Sequence, residues 1–198
     1  MSWFDDVPDP PPPFAKEEWY AYFAYWGDLD QQPPWMGPSE GWVGGAVAWR
    51  IVLTESGDHS VVLSDFVAFP TGVKFTMELR FSEQTLDIRV QPNNPPRLLV
   101  DGDDSASPRL GVGFSDGRKV LLGPHPFSWR EGVRPVLQAS GGGSGGRDWQ
   151  KGGLWLWPLP PVGPMTFAVS WEVIGVAEKT VTVDATELVE ASERARDA

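Results

Sequence analysis

The clearest pattern in the chain is VKFTMELRF at 73–81. Val73, Phe75, Met77, Leu79 and Phe81 alternate with Lys74, Thr76, Glu78 and Arg80 without one exception. A period of two sends the apolar set to one face and the polar set to the other, as in an antiparallel strand that is wet on one side. MTFAVSWEV repeats the pattern, with Met165, Phe167, Val169, Trp171 and Val173 opposite Thr166, Ala168, Ser170 and Glu172. AVAWRIVL puts Val47, Trp49, Ile51 and Leu53 on one side, and SVVLSDFVAF follows a turn at Ser56, Gly57 and Asp58. Further strands are expected at 86–90, at 97–100 and in VLQA, LWLW and KTVTV. RLGVGFSDGRKVLL reads as a hairpin, with Asp116 and Gly117 supplying the tight turn. Short strands in this number, with turns and no helices between them, predict an all-β fold. The expected architecture is an antiparallel β-sandwich of immunoglobulin-like kind over 41–183.

The stretch LWLW at 154–157 breaks the alternation. On a strand, Trp155 and Trp157 point one way and Leu154 and Leu156 the other, so both faces are apolar. Pro158, Pro160 and Pro161 then end ladder pairing. Two readings follow. Either one face joins the core and the arm covers the other, or Trp155 and Trp157 form an exposed platform for sugar rings or a partner peptide.

A helical period is expected at the two ends of the chain. Trp19, Tyr22, Phe23 and Trp26 fall at i, i+3, i+4 and i+7 and share one helical face. Glu17 and Glu18 suit the first turn of such a helix, and Gly27 its end. Proline clusters at 8–13 and 33–38 flank the stretch as stiff spacers, so residues 1–40 are expected to form an aromatic arm. A helix of about 12 residues does not persist alone, so this one is expected to dock, on its own domain or on another chain. At the other end, 184–198 is expected to form a short helix and a frayed tail. Asp184 is its expected cap and Glu187 the capping-box partner, with Leu188, Ala191 and Ala195 on one face.

Composition narrows this picture. The 198 residues include 11 Trp, 10 Phe, 20 Pro and 22 Gly, which argues against a helical bundle. There is no Cys, which removes disulfides, thiol chemistry and thiolate metal sites. With 16 basic and 27 acidic residues the net charge is −11, and phosphate backbones and anionic membranes repel such a chain. Neither nucleic acid nor membrane is therefore an expected partner. MSWFDDVPDPPPP has no basic region followed by an apolar one, and no apolar run approaches the roughly 18 residues of a membrane span. A soluble cytoplasmic protein is expected.

Candidate chemistry is sparse. Gly141, Gly143 and Gly146 spell G-x-G-x-x-G, but the motif needs a strand before it and a helix after it, so the run reads as a flexible loop. The letters of G-x-S-x-G around Ser144 lack the strand–turn–helix setting of a nucleophile elbow. DGDDS at 101–105 resembles the front of a calcium loop, but Ala106 and Val112 stand where Gly and Glu are needed, so a solvated turn is expected. His59 and His125 have no partner at metal-ligand spacing. No catalytic residue, metal or cofactor is assigned.

PPWMGP at 33–38, AFPTGVKFTMELRF at 68–81, LGVGFSDGRK at 110–119 and WPLPPVGPMTFAVSWEVIG at 157–175 resemble a group of uncharacterised actinobacterial proteins with an MSWFDD-type start. The resemblance covers most of the chain but not the aromatic stretch at 14–26. It implies no activity and carries no catalytic residue over.

The expected function is a non-catalytic binding or scaffold module, with a protein partner or self-association through Trp19, Tyr22, Phe23, Trp26, Trp155 and Trp157. The alternatives are a carbohydrate-binding module that uses the tryptophan pair, with a glycan as partner, and a hydrolase whose paired carboxylates the sequence does not reveal.

Overall fold

The computed structural model describes residues 2–8, 33–82, 108–123, 135–146 and 148–197. The expected strands at 86–90 and 97–100, the acidic turn at 101–105 and His125 lie outside them, as do Trp19, Tyr22, Phe23 and Trp26. In chain order the strands are β1 (Trp42–Val43), β2 (Gly45–Val47), β3 (Ile51–Glu55), β4 (His59–Phe69), β5 (Gly72–Phe81), β6 (Arg109–Gly113), β7 (Lys119–Leu121), β8 (Val136–Gly145), β9 (Trp149–Trp157), β10 (Pro164–Trp171) and β11 (Val176–Asp184). A helix, α1 (Thr186–Ser192), and a last strand, β12 (Arg196–Asp197), follow.

Among the described residues the strands form two main antiparallel sheets. The 6-stranded sheet runs β2-β4-β5-β9-β8, with β3 also on β4, and the 4-stranded sheet runs β11-β10-β6-β7. One buried cluster draws on both. Among the described residues the sheets are those of an antiparallel β-sandwich, and their strand order does not confirm the immunoglobulin-like kind. Hairpins such as β4–β5, β8–β9 and β10–β11 are local, whereas β5–β9 and β6–β10 join distant parts of the sequence.

The alternation places the core. Phe75, Met77 and Leu79 from one sheet and Phe167, Val169 and Trp171 from the other are fully enclosed. Lys74 and Glu172 are exposed, and Glu78 is half-buried. Phe66 stacks on Phe75 at 5.0 Å, and Phe167 meets both rings edge-on at 6.0 and 5.9 Å. Three aromatic rings thereby tie the two sheets together in the offset and edge-to-face geometries that ring quadrupoles favour.

Strand β4 needs a correction of parity to join this core. Val61 and Leu63 point inward, and so do Phe66 and Ala68, although the numbers switch from odd to even. A bulge between Ser64 and Val67 absorbs the extra residue. Asp65 sits in it at φ 55°, a left-handed conformation that costs most residues energy but that Asp tolerates better than most.

Three local expectations are corrected. The glycine run is part of β8 rather than a loop: Gly143 pairs with Gly152 and Ser144 with Lys151. Glu187 does not reach back to the start of α1, because its carboxylate accepts the indole N–H of Trp49 at 3.0 Å. Asp184 accepts both the amide and the hydroxyl of Thr186, at 3.0 and 2.6 Å, while Ala185 occupies the cap position. The tail is not frayed either, since Arg196 and Asp197 pair with Val43 and Trp42.

Substitutions at two positions test this description. Phe167→Ala should lower stability by about 3–5 kcal/mol, from lost burial plus a cavity between the sheets; an unchanged denaturation midpoint would refute the assigned face. At the bulge, Asp65→Ala should be less stable than Asp65→Gly by about 1 kcal/mol, because both lose the carboxylate but only glycine adopts this φ freely. Urea midpoints of the two variants measure the difference.

Candidate functional site

Both sheets have outer faces that cannot be left in water, and each is covered by a piece of the N-terminal region. On the 4-stranded sheet, Gly111 and Gly113 of β6 and Ala168 and Ser170 of β10 leave an outer surface without bulky side chains. Residues 2–8 fill it, with Phe4 and Val7 buried in a small cluster with Leu121 and Ala168. A Cβ on Gly111 would run into the Trp3 ring, so only glycine admits the indole. Lys119 stands over Trp3 at 4.7 Å and donates to its carbonyl oxygen at 2.9 Å; Arg109 lies over the Phe4 ring at 4.6 Å. The Glu178 carboxylate accepts the hydroxyl of Ser2 and the amide of Trp3.

On the 6-stranded sheet the covered surface is the tryptophan face of β9. Leu154 and Leu156 lie opposite Phe75 and Val73 and face the core. Trp155 and Trp157 face outward and are nevertheless 0% and 6% exposed. The cover is the turn at 33–36, closed by the Met36 amide donating to the Pro33 carbonyl at 2.9 Å. Trp155 donates its indole N–H to the Pro34 carbonyl at 3.0 Å. Gln138, which pairs with Trp155 across the β8–β9 ladder, donates its side-chain amide to the carbonyls of Trp35 and Met36 at 2.8 and 3.3 Å. Trp35 meets Trp157 edge-on at 6.1 Å. While this turn is in place, no sugar ring can stack on Trp155 or Trp157.

Two polar clusters lie elsewhere on the surface. On the wet part of the same outer face, Lys151 lies 3.0 Å from both the Asp65 and the Glu78 carboxylate, and Ser64 donates to both at 3.3 and 3.4 Å. The two carboxylates hold the Lys151 pKa above its ordinary value, and Lys151 in turn lowers that of Asp65. The cluster ties β4, β5 and β9 together on this face through one cation shared by two carboxylates. His59 contacts Ser56 through Nδ1 at 3.0 Å and Thr54 through Nε2 at 3.4 Å. Ser56 also accepts the amides of Asp58 and His59, so the group staples the β3–β4 turn. Among the described residues there is no group of three or more His, Cys, Asp or Glu able to hold a metal. Nor is there among them a helix long and apolar enough to cross a membrane.

Trp3, Trp35 and Gln138 do not stand out in the sequence. The signals it does carry are the small outward residues of β6 and β10, which leave room for a cover, and the doubly apolar LWLW, which demands one. Compared with family models, with curated proteins and with solved structures, the chain finds no match.

The anchoring of residues 2–8 should depend on acid. The hydroxyl of Ser2 and the amide of Trp3 hold the Glu178 pKa below its ordinary value of 4.5. A depressed folded-state pKa gives a stabilisation that is complete above the unfolded value and lost as pH falls through the folded one. Urea midpoints of the wild type and Glu178→Gln should differ by a constant amount from neutrality down to about pH 4.5 and converge below it. A gap that persists unchanged to pH 3 would show that this carboxylate is not the anchor.

Proposed function

We propose that this protein is a non-catalytic, cytoplasmic binding or scaffold module that acts through protein–protein contacts. The observation that carries the reading is the attachment of the N-terminal region at two places. Residues 2–8 lie on the outer face of one sheet and 33–36 on the outer face of the other. The chain from 9 to 32 therefore leaves the domain on one side and rejoins it on the opposite side. These 24 residues reach about 80 Å when extended, and they carry Trp19, Tyr22, Phe23 and Trp26 at helical spacing.

A segment fixed at both ends loses less entropy when it binds than a free tail does. Amphipathic stripes of this spacing bind by laying their apolar face into a groove on a partner. The net charge of −11 favours a basic partner and disfavours acidic ones. Self-association through the same stripe is the homotypic form of the proposal.

Replacing Trp19, Phe23 and Trp26 together with alanine tests it. The expected result is a stability within about 1 kcal/mol of wild type, together with loss of the wild type's self-association or of a partner it binds reproducibly. Sedimentation and pull-down read the second part. Loss of several kcal/mol with association intact would make the stretch a structural element of this domain and would overturn the reading.

A further inference from the structure

The contact between the 33–36 turn and the β8–β9 face has the form of a peptide bound in a groove. Its floor is rigid, because Gln138 and Trp155 are held opposite each other by sheet pairing and are 1% and 0% exposed. In the three bonds named above the donors are side chains and the acceptors are backbone carbonyls of the occupant: Pro34 for Trp155, and Trp35 and Met36 for Gln138. Contacts to carbonyls recognise the backbone of a proline-containing turn and do not require that it belong to the same chain. The ring of Trp35 against Trp157 adds a side-chain anchor.

The cis occupant also leaves the groove incompletely satisfied. Among the described residues, Gln138 Oε1 and Trp35 Nε1 are buried with no hydrogen-bond partner. Buried polar atoms are nearly always bonded, and each exception weakens the arrangement that contains it. Pro33 and Pro34, which contribute no backbone N–H, precede Trp35 directly in the sequence.

We propose that the face formed by Gln138, Trp155 and Trp157 is a binding groove for a Pro-Pro-Trp-type peptide of another protein, with residues 33–36 as its internal competitor. The turn masks the groove, and a trans peptide of the same chemistry displaces it. This site does not depend on the stretch at 14–26. The two readings therefore stand or fall separately.

The experiment uses full-length protein and a labelled synthetic peptide of residues 31–38. Wild type should bind it weakly, because a tethered competitor acts at an effective concentration in the millimolar range. Full-length Trp35→Ala, which removes the anchor of the internal segment, should bind at least about tenfold more tightly than wild type, since apparent affinity scales with the open fraction. Adding Gln138→Leu to that variant should abolish the gain, and a peptide with alanine in place of its tryptophan should not bind. If Trp35→Ala folds but gains no affinity up to millimolar peptide, the turn is core packing and the proposal fails. If it does not fold alone, the turn is core packing and the proposal likewise fails. A wild type that forms dimers on concentration, dissociated by the peptide, would make a second copy the occupant and overturn the assignment to another protein.

Discussion

The stretch 154–157 of strand β9 cannot be solvated on either face, and much of the molecule follows from that. It lies between β5 and β8, so its ladder is satisfied on both edges. Its leucines meet the core, and its tryptophans are left on the far side of the sheet. Exposing two indoles there would leave a large apolar patch. A polar strand or loop laid across them would bury backbone groups without partners. The 33–36 turn avoids both costs, because its two prolines bring no N–H to bury and its carbonyls find donors in Trp155 and Gln138. The composition of the cover is thus dictated by what it covers.

The same constraint acts on the second sheet with different chemistry. There the outward positions are small, and the cover supplies the bulk: Trp3 sits on Gly111, and Phe4 packs with Leu121 and Ala168. Cations hold the rings from above, and Glu178 holds the backbone at the edge. One sheet brings its own aromatics and receives a turn, whereas the other brings glycines and receives aromatics. The bulge at Asp65 belongs to this division of faces as well. By reversing parity within β4 it keeps Phe66 in the aromatic bridge between the sheets while Asp65 turns outward to Lys151.

The inward faces were legible in the sequence because a period of two sustained over nine residues, as in 73–81, matches a half-buried strand and conflicts with a helical repeat. That LWLW is apolar on both faces was legible for the same reason, and it left a cover and an exposed platform both open. What covers it was not legible. Trp35 reads as one more aromatic in a proline spacer, and only the hydrogen bonds of Gln138 and Trp155 identify it. Strand order was illegible because β5–β9 and β6–β10 are non-local pairs whose members carry no mutual signal. The glycine run at 141–146 misled because glycine and serine have weak strand propensity, which tertiary pairing to β9 overrides. The Asp65 bulge lacks the glycine that usually marks a left-handed position. At α1, local capping rules lost to a tertiary competitor, the indole of Trp49.

The two covers differ in what can dislodge them, and this bears on how the N-terminal region can work. Residues 2–8 are held in part by charge: an ionised carboxylate at the edge and two cations above the rings. Salt screens such contacts and acid removes the carboxylate. Residues 33–36 are held by apolar packing and by neutral donors on carbonyls, which neither condition weakens directly. On the proposed reading, a competitor that offers similar carbonyls and a similar ring would replace them. Displacing the second cover leaves the first attached, so the released segment stays tethered through Pro8 on one side and through strand β1 on the other. An opened groove would then close again by an intramolecular step, with no loss of the segment to solution. A masked site of that kind is reversible by construction, and its affinity is set by the difference between two peptides competing for the same three side chains.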